Sequence, residues 1–267
     1  MEVNKELAEP YLSSSLPIPS ITTRWWSKDT VAIVTGANKG IGFSLVKQLT
    51  ELGLTVILTA RDVEKGNKAV ELLKSHGLLV HFYRLDVSDP ASIKTFTSWF
   101  QRKFGVLDIL VNNAAVSFND IYENSVEHAE TVIKTNFYGA KLLTEAVLPM
   151  FRRSDSISRI LNISSRLGSI NKMRNPKIKE MLLSEKLSAQ QIEGMANLVL
   201  AKQYEGSGLS VNCFCPGFTQ TSMTGGKGTH TADDAAQVGV RLTLLPPEEL
   251  STGKFYIGFN TVTSSKL

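Results

Sequence analysis

The stretch Val31-Ala32-Ile33-Val34-Thr35-Gly36-Ala37-Asn38-Lys39-Gly40-Ile41-Gly42 decides how this chain is read. Its first four residues are apolar and mostly β-branched, which suits a short buried strand. Ile41, Leu45, Val46, Leu49 and Leu52 then recur at helical spacing, and Gly53 ends the run. Between strand and helix lies a glycine-rich turn. Glycine lets the backbone come close to a pyrophosphate, and the helix start offers unpaired N–H groups and a positive dipole end. Gly36, Asn38, Lys39, Gly40, Ile41 and Gly42 are therefore the first candidate cofactor residues.

Working outward, strand and helix patterns alternate. Thr55 to Leu58, Leu79 to Tyr83, Leu107 to Val111, Ile160 to Ile163, Leu209 to Phe214 and Lys254 to Ile257 are the further predicted strands. Asp89-Pro90 suits the cap and first position of a helix whose stripe is Ile93, Phe96, Phe100 and Phe104. A long helix between the fourth and fifth strands is expected to bury Ala129, Val132, Ile133, Phe137, Ala140 and Leu143. Asn136 falls inside that stripe, where a buried amide needs a dedicated network or a water. The alternation predicts an α/β fold: a Rossmann-type doubly wound parallel sheet forming a single domain over residues 30–258. Residues 1–29 have no coherent pattern and are expected to be a flexible tail, with Trp25 and Trp26 pinning its end to the domain. Residues 259–267 are expected to be a C-terminal tail, polar over Thr261 to Ser264.

Charge then selects among dinucleotides. A site for NAD usually carries an acid after the second strand, to accept hydrogen bonds from the ribose hydroxyls. Here that strand ends Thr59-Ala60-Arg61, and Lys39 lies in the glycine turn. Two cations there suit a 2′-phosphate, which a guanidinium can grip as a fork, so the expected cofactor is NADP(H). Asp62 follows directly and speaks the other way.

Further signals are Leu85-Asp86-Val87, Asn112-Asn113-Ala114-Ala115, Asn136 and Pro216-Gly217. With Gly36-x3-Gly40-x-Gly42 they make the chain similar to the short-chain dehydrogenase/reductase family over roughly residues 30–258. The resemblance implies that Asp86 and Val87 flank the adenine and that Asn113, Ala114 and Ala115 hold the fourth-strand turn against the cofactor. It also implies that Asn136 holds a water in the proton relay and that Ser165, in Asn162-Ile163-Ser164-Ser165, polarises the substrate carbonyl. Trp25-Trp26 and Cys215-Pro216-Gly217-Phe218-Thr219-Gln220-Thr221 resemble the plant-type carbonyl and menthone reductase branch. That resemblance implies reduction of small hydrophobic ketones or aldehydes by a chain that is often monomeric. It puts Thr219 and Thr221 near the nicotinamide amide and pyrophosphate.

The catalytic set has a gap. The family's Tyr-x-x-x-Lys puts Lys one helical turn beyond Tyr, where its charge lowers the Tyr pKa. None of the six tyrosines has Lys four residues on. Residues 171–205 resemble the branch's insertion run directly into the far end of the catalytic helix, Leu200-Ala201-Lys202-Gln203-Tyr204. The join near Leu198 to Leu200 therefore skips Tyr, Lys and most of that helix. Ser188-Ala189-Gln190-Gln191 can cap a replacement helix, and about 17 helical residues span about 25 Å, enough for one crossover. The expectation is a reductase impaired in this form, or a catalytically inactive NADP(H)-binding isoform.

Other functions find little support. The formal charge is +4 and Lys and Arg are interspersed with acids, which argues against nucleic acid. No apolar run approaches the roughly 20 residues of a membrane helix. Cys213 and Cys215 lack the further ligands of a metal set and are expected to be reduced core thiols. The terminal Ser265-Lys266-Leu267 is a peroxisomal address when exposed, so the expected location is cytoplasmic or peroxisomal.

Overall fold

A computed structural model describes residues 24–118, 125–152, 158–165, 207–246, 248–249 and 251–259. The 171–205 insertion, the crossover helix with the Leu200 to Tyr204 segment, and the terminal tripeptide lie outside the described residues.

Seven parallel strands form one sheet: β1 Val31–Val34, β2 Thr55–Ala60, β3 His81–Arg84, β4 Ile109–Asn112, β5 Ser158–Ile163, β6 Leu209–Cys215 and β7 Phe255–Ile257. Their order is β3-β2-β1-β4-β5-β6-β7. The helices are α1 Gly40–Glu51, α2 Val63–Ser75, α3 Pro90–Lys103, α4 Val126–Val132, α5 Ala140–Val147 and α6 Ala232–Leu244. Strand periodicity divides the core. On β1, Ala32 and Val34 face one apolar cluster with Leu45, Leu49 and Val240, while Val31 and Ile33 face another with Phe96, Phe100 and Leu143. Burying side chains such as Phe96 and Phe100 stabilises by about 1.5–3 kcal/mol each. The strand order reverses between β1 and β4, and the crevice beyond the carboxyl ends of strands there is the expected ligand position in this architecture.

Trp25 and Trp26 are docked on this domain. Trp26 is buried, and its indole N–H donates to Leu52 O at 3.3 Å. The Trp25 indole donates to Leu244 O at 3.1 Å and lies under the buried Arg159 guanidinium. Cys213 and Cys215 are buried and form no disulfide. Among the described residues no helix is long and apolar enough to cross a membrane.

Two expectations need correction. β3 starts at His81, because Leu79 is 78% exposed outside the edge strand. The predicted buried stripe of the long helix holds only at Leu143. Thr135, Gly139, Leu143 and Val147 are buried, whereas Ala129, Ile133 and Asn136 are exposed and Val132, Phe137 and Ala140 only half-buried. The reason is a π-type segment, Ile133–Gly139, between α4 and α5. Its i→i+5 bonding fits more residues into a turn, so a stripe drawn at 3.6 residues rotates off the buried face.

Candidate cofactor site

The glycine turn is built by interlocking backbones. Gly36 has φ +60°, and a Cβ on it would lie 2.7 Å from Ala114 Cα. A Cβ on Gly42 would lie 2.4 Å from Asn113 Nδ2. Both glycines are thus required by contact with the turn after β4. Asn113 Nδ2 donates to Thr35 O at 2.8 Å and to Gly36 O at 3.2 Å. In return, Thr35 Oγ1 accepts from the N–H groups of Asn113 and Ala114, each at 2.9 Å. Thr35 is the residue that sequence reasoning left out of the site. The pairing of β1 with β4 brings it there from 78 residues away.

The N-terminus of α1 differs from those of α2, α3, α4 and α6, while α5, which continues the π-type segment, is likewise uncapped. The N-cap residue of α1, Lys39, makes no capping hydrogen bond, and its first turn carries no acid. By contrast Asp62, Asp89, Ser125 and Thr231 cap α2, α3, α4 and α6 with their side chains. An uncapped helix start leaves N–H groups and a positive dipole end facing the glycine turn, which is what a pyrophosphate requires. Gly40, with φ +58°, faces Thr221, whose Cγ2 would be 3.5 Å from an added Cβ. The loop after β6 therefore borders the same turn. Thr221 also caps the short helical turn Ser222–Thr224. Thr219 is buried and donates to Pro216 O at 3.1 Å, shaping the turn through Gly217, which has φ +76°.

Beyond β2 and β3 the charges are arranged unevenly. Arg61 and Lys39 are exposed, and neither pairs with a carboxylate among the described residues. Asp62 accepts from Lys65 N–H at 3.0 Å and lies 3.3 Å from Lys65 Nζ, and that backbone bond holds its carboxyl below the usual range. Asp86 accepts from Ser88 N–H at 3.0 Å and Ser88 O–H at 2.7 Å. Val87 is buried against the π-type segment: a Cβ on Gly139 would lie 2.8 Å from Val87 O. A lone glycine inside a helical pattern was the signal available for that contact.

Asn136 was expected to be buried with a network; it is exposed, yet it has the network. Its Nδ2 donates to Val116 O at 2.9 Å, and its Oδ1 accepts from Val116 N–H at 2.8 Å. Ser165 is exposed two residues beyond β5, where Ser164 N–H still bonds Phe214 O at 2.8 Å. The parallel pairing of β4 with β5 puts the loop held by Asn136 and the end bearing Ser165 at the same edge of the sheet.

The family model for short chain dehydrogenase matches residues 30–178. The chain belongs to the short-chain dehydrogenase/reductase family. Among relatives in this family, (+)-neomenthol dehydrogenase of Arabidopsis thaliana is 34% identical over 283 residues, covering 84% of this chain and 95% of that one. Carbonyl reductase [NADPH] 1 of Homo sapiens is 31% identical, covering 82% of this chain and 92% of its own. The solved structure of salutaridine reductase from Papaver somniferum superposes with a TM-score of 0.76 at 33% identity, covering 85% of this chain and 99% of that one.

Proposed function

We propose that this chain binds NADP(H) and is by ancestry a carbonyl reductase whose turnover is strongly impaired in this form. The observation that carries the cofactor assignment is the uncapped, acid-free start of α1 behind Gly36, Asn38, Gly40, Ile41 and Gly42. Lys39 and Arg61 would hold the 2′-phosphate, and Asp62, which caps α2 and lies beside Lys65, is drawn toward that helix. Asp86 and Val87 would flank the adenine, and Asn113, Ala114 and Ala115 would back the cofactor. Pro216, Gly217, Thr219 and Thr221 would line its nicotinamide end. The human relative is itself named for NADPH.

NADPH, when bound, supplies a hydride to the carbon of a ketone or aldehyde. The residues of this chain would do the rest. The Ser165 hydroxyl would hydrogen-bond the carbonyl oxygen, and Asn136 would hold the loop bearing Val116 and a relay water. The oxygen then needs a proton, and this chain has no Tyr-x-x-x-Lys to deliver it. Losing a positioned proton donor typically costs roughly 10²- to 10⁴-fold. The comparison with the Arabidopsis relative supports a missing segment. It runs over 283 positions but takes in only 84% of 267 residues, about 224, so about 59 positions meet no residue here. The relatives' names, a neomenthol dehydrogenase and a salutaridine reductase, support small hydrophobic carbonyl substrates.

The absent Tyr-x-x-x-Lys also favours a second reading, a catalytically inactive NADP(H)-binding isoform. A thermal-shift titration tests the cofactor assignment: NADPH should raise the transition at lower concentration than NADH, and equal or no response refutes it. A panel of hydrophobic ketones and aldehydes separates the two readings, slow NADPH consumption marking the impaired reductase and none the inactive isoform. Inserting the Arabidopsis relative's segment at the Leu198 to Leu200 join should raise turnover by orders of magnitude. No gain there would sink the ancestry argument.

A further inference from the structure

Arg84 is the last residue of β3 and pairs in register with Ala60, the last of β2. Strand alternation decides which way it faces. Tyr83 stacks on Trp99 of α3 at 4.3 Å. Phe82 faces the opposite side, where its ring occupies the space a Cβ on Gly66 of α2 would need, at 2.2 Å. Arg84 shares the Phe82 side, which carries α2 and the exit of β2. There its Nε–H donates to Arg61 O at 3.2 Å.

This bond ties two exposed arginines together, with Arg84 gripping the backbone of Arg61. Neither forms an ion pair among the described residues. The carboxylates beside them in sequence are engaged: Asp62 with Lys65, and Asp86 with Ser88. The ends of the neighbouring strands β2 and β3 thus carry two arginines without a carboxylate partner among the described residues, and an arriving dianion gains charge-assisted bonds there. Nε is spent on Arg61, and the outer guanidinium nitrogens of Arg84 make no other hydrogen bond among the described residues, so they can donate to an arriving anion. We propose that Arg84 is a specificity-determining residue of the NADP(H) site, adding a second guanidinium to the 2′-phosphate subsite and orienting Arg61. The inference rests on the NADP(H) assignment above.

The test is direct titration of the full chain and its Arg84→Ala, Arg84→Lys and Arg61→Ala variants with NADPH and with NADH, alongside melting of each without cofactor. Arg84→Ala should weaken NADPH binding about five- to tenfold, a charged hydrogen bond discounted for its exposure. NADH binding should stay within about twofold and melting should not move. Arg84→Lys should recover part of the loss, since it keeps charge but not the fork. The preference for NADPH should narrow with added salt. Equal weakening of both cofactors would mean that Arg84 only supports the fold locally, and no weakening would mean that it does not reach the site; either overturns the inference. Loss of NADPH preference in Arg61→Ala but not Arg84→Ala refutes Arg84 alone. An unmodified chain without NADPH preference refutes the cofactor assignment and this inference together.

Discussion

The side-chain amide of Asn136 is paired with both backbone polar groups of Val116, donating to its carbonyl at 2.9 Å and accepting from its N–H at 2.8 Å. The π-type segment thereby clamps the loop that continues from Asn113, Ala114 and Ala115. Asn136→Ala removes both bonds and should cost about 1–2 kcal/mol of stability. It should also weaken NADPH binding several-fold by loosening the loop. Asn136→Asp keeps the acceptor but sets a carboxylate oxygen against Val116 O, so it should not rescue the loss. Melting and NADPH titration that leave Asn136→Ala indistinguishable from the parent would show that the clamp does not support the site.

Gly42→Ala should abolish cofactor binding and destabilise the chain by about 2–3 kcal/mol. The new methyl would lie 2.4 Å from Asn113 Nδ2, displacing the amide from Thr35 O and Gly36 O. A double-mutant cycle checks the cause: in an Asn113→Ala background, part of the Gly42→Ala cost should vanish. Strict additivity of the two would contradict it.

Thr35→Val replaces the hydroxyl that accepts from Asn113 and Ala114 with a methyl of nearly the same size. Thr35 is 1% exposed, so those donors lose their partner where water cannot readily substitute. The expected loss is about 2–3 kcal/mol by denaturant unfolding, with Thr35→Ser within about 1 kcal/mol of the parent. Equal effects of the two would argue for the methyl rather than the hydroxyl.

Burial pushes the Cys213 thiol up from 9.0 to about 12. A group whose folded pKa is raised gives stability that is whole below its unfolded pKa and is lost as pH rises toward the folded value. From about pH 9 to 10 the unfolded chain sheds a proton that the folded chain keeps, so stability should fall by about 1 kcal/mol. Tyr256, also raised by burial, adds in the same direction above pH 10. Unfolding measured at pH 8, 9 and 10 should show this decline, with a flatter profile in Cys213→Ala. Thiol-directed alkylation at pH 8 should proceed only as fast as the chain opens.

Much of this protein can be read locally. The apolar runs, the capping residues Asp62 and Asp89 and the glycine turn lie within single strand-turn-helix units, so neighbouring residues state the structure. The same is true of the missing Tyr-x-x-x-Lys, which is a matter of spacing. The long helix was misread because a π-type turn leaves no mark in a pattern drawn at 3.6 residues per turn.

Legible in the residues alone are the order of strands and helices, the glycine turn and the cationic bias of its flanks, since each depends on chemistry between residues close along the chain. Which distant groups meet is visible only in the folded chain: Thr35 with Asn113, Asn136 with Val116, Arg84 with Arg61. Strand order and register bring Thr35 to Asn113 and Arg84 to Arg61, while the packing of the π-type segment on the loop after β4 brings Asn136 to Val116. A sheet can bring together groups 23 to 78 residues apart, and their unpaired donors and acceptors are then satisfied by whatever the neighbouring strand delivers.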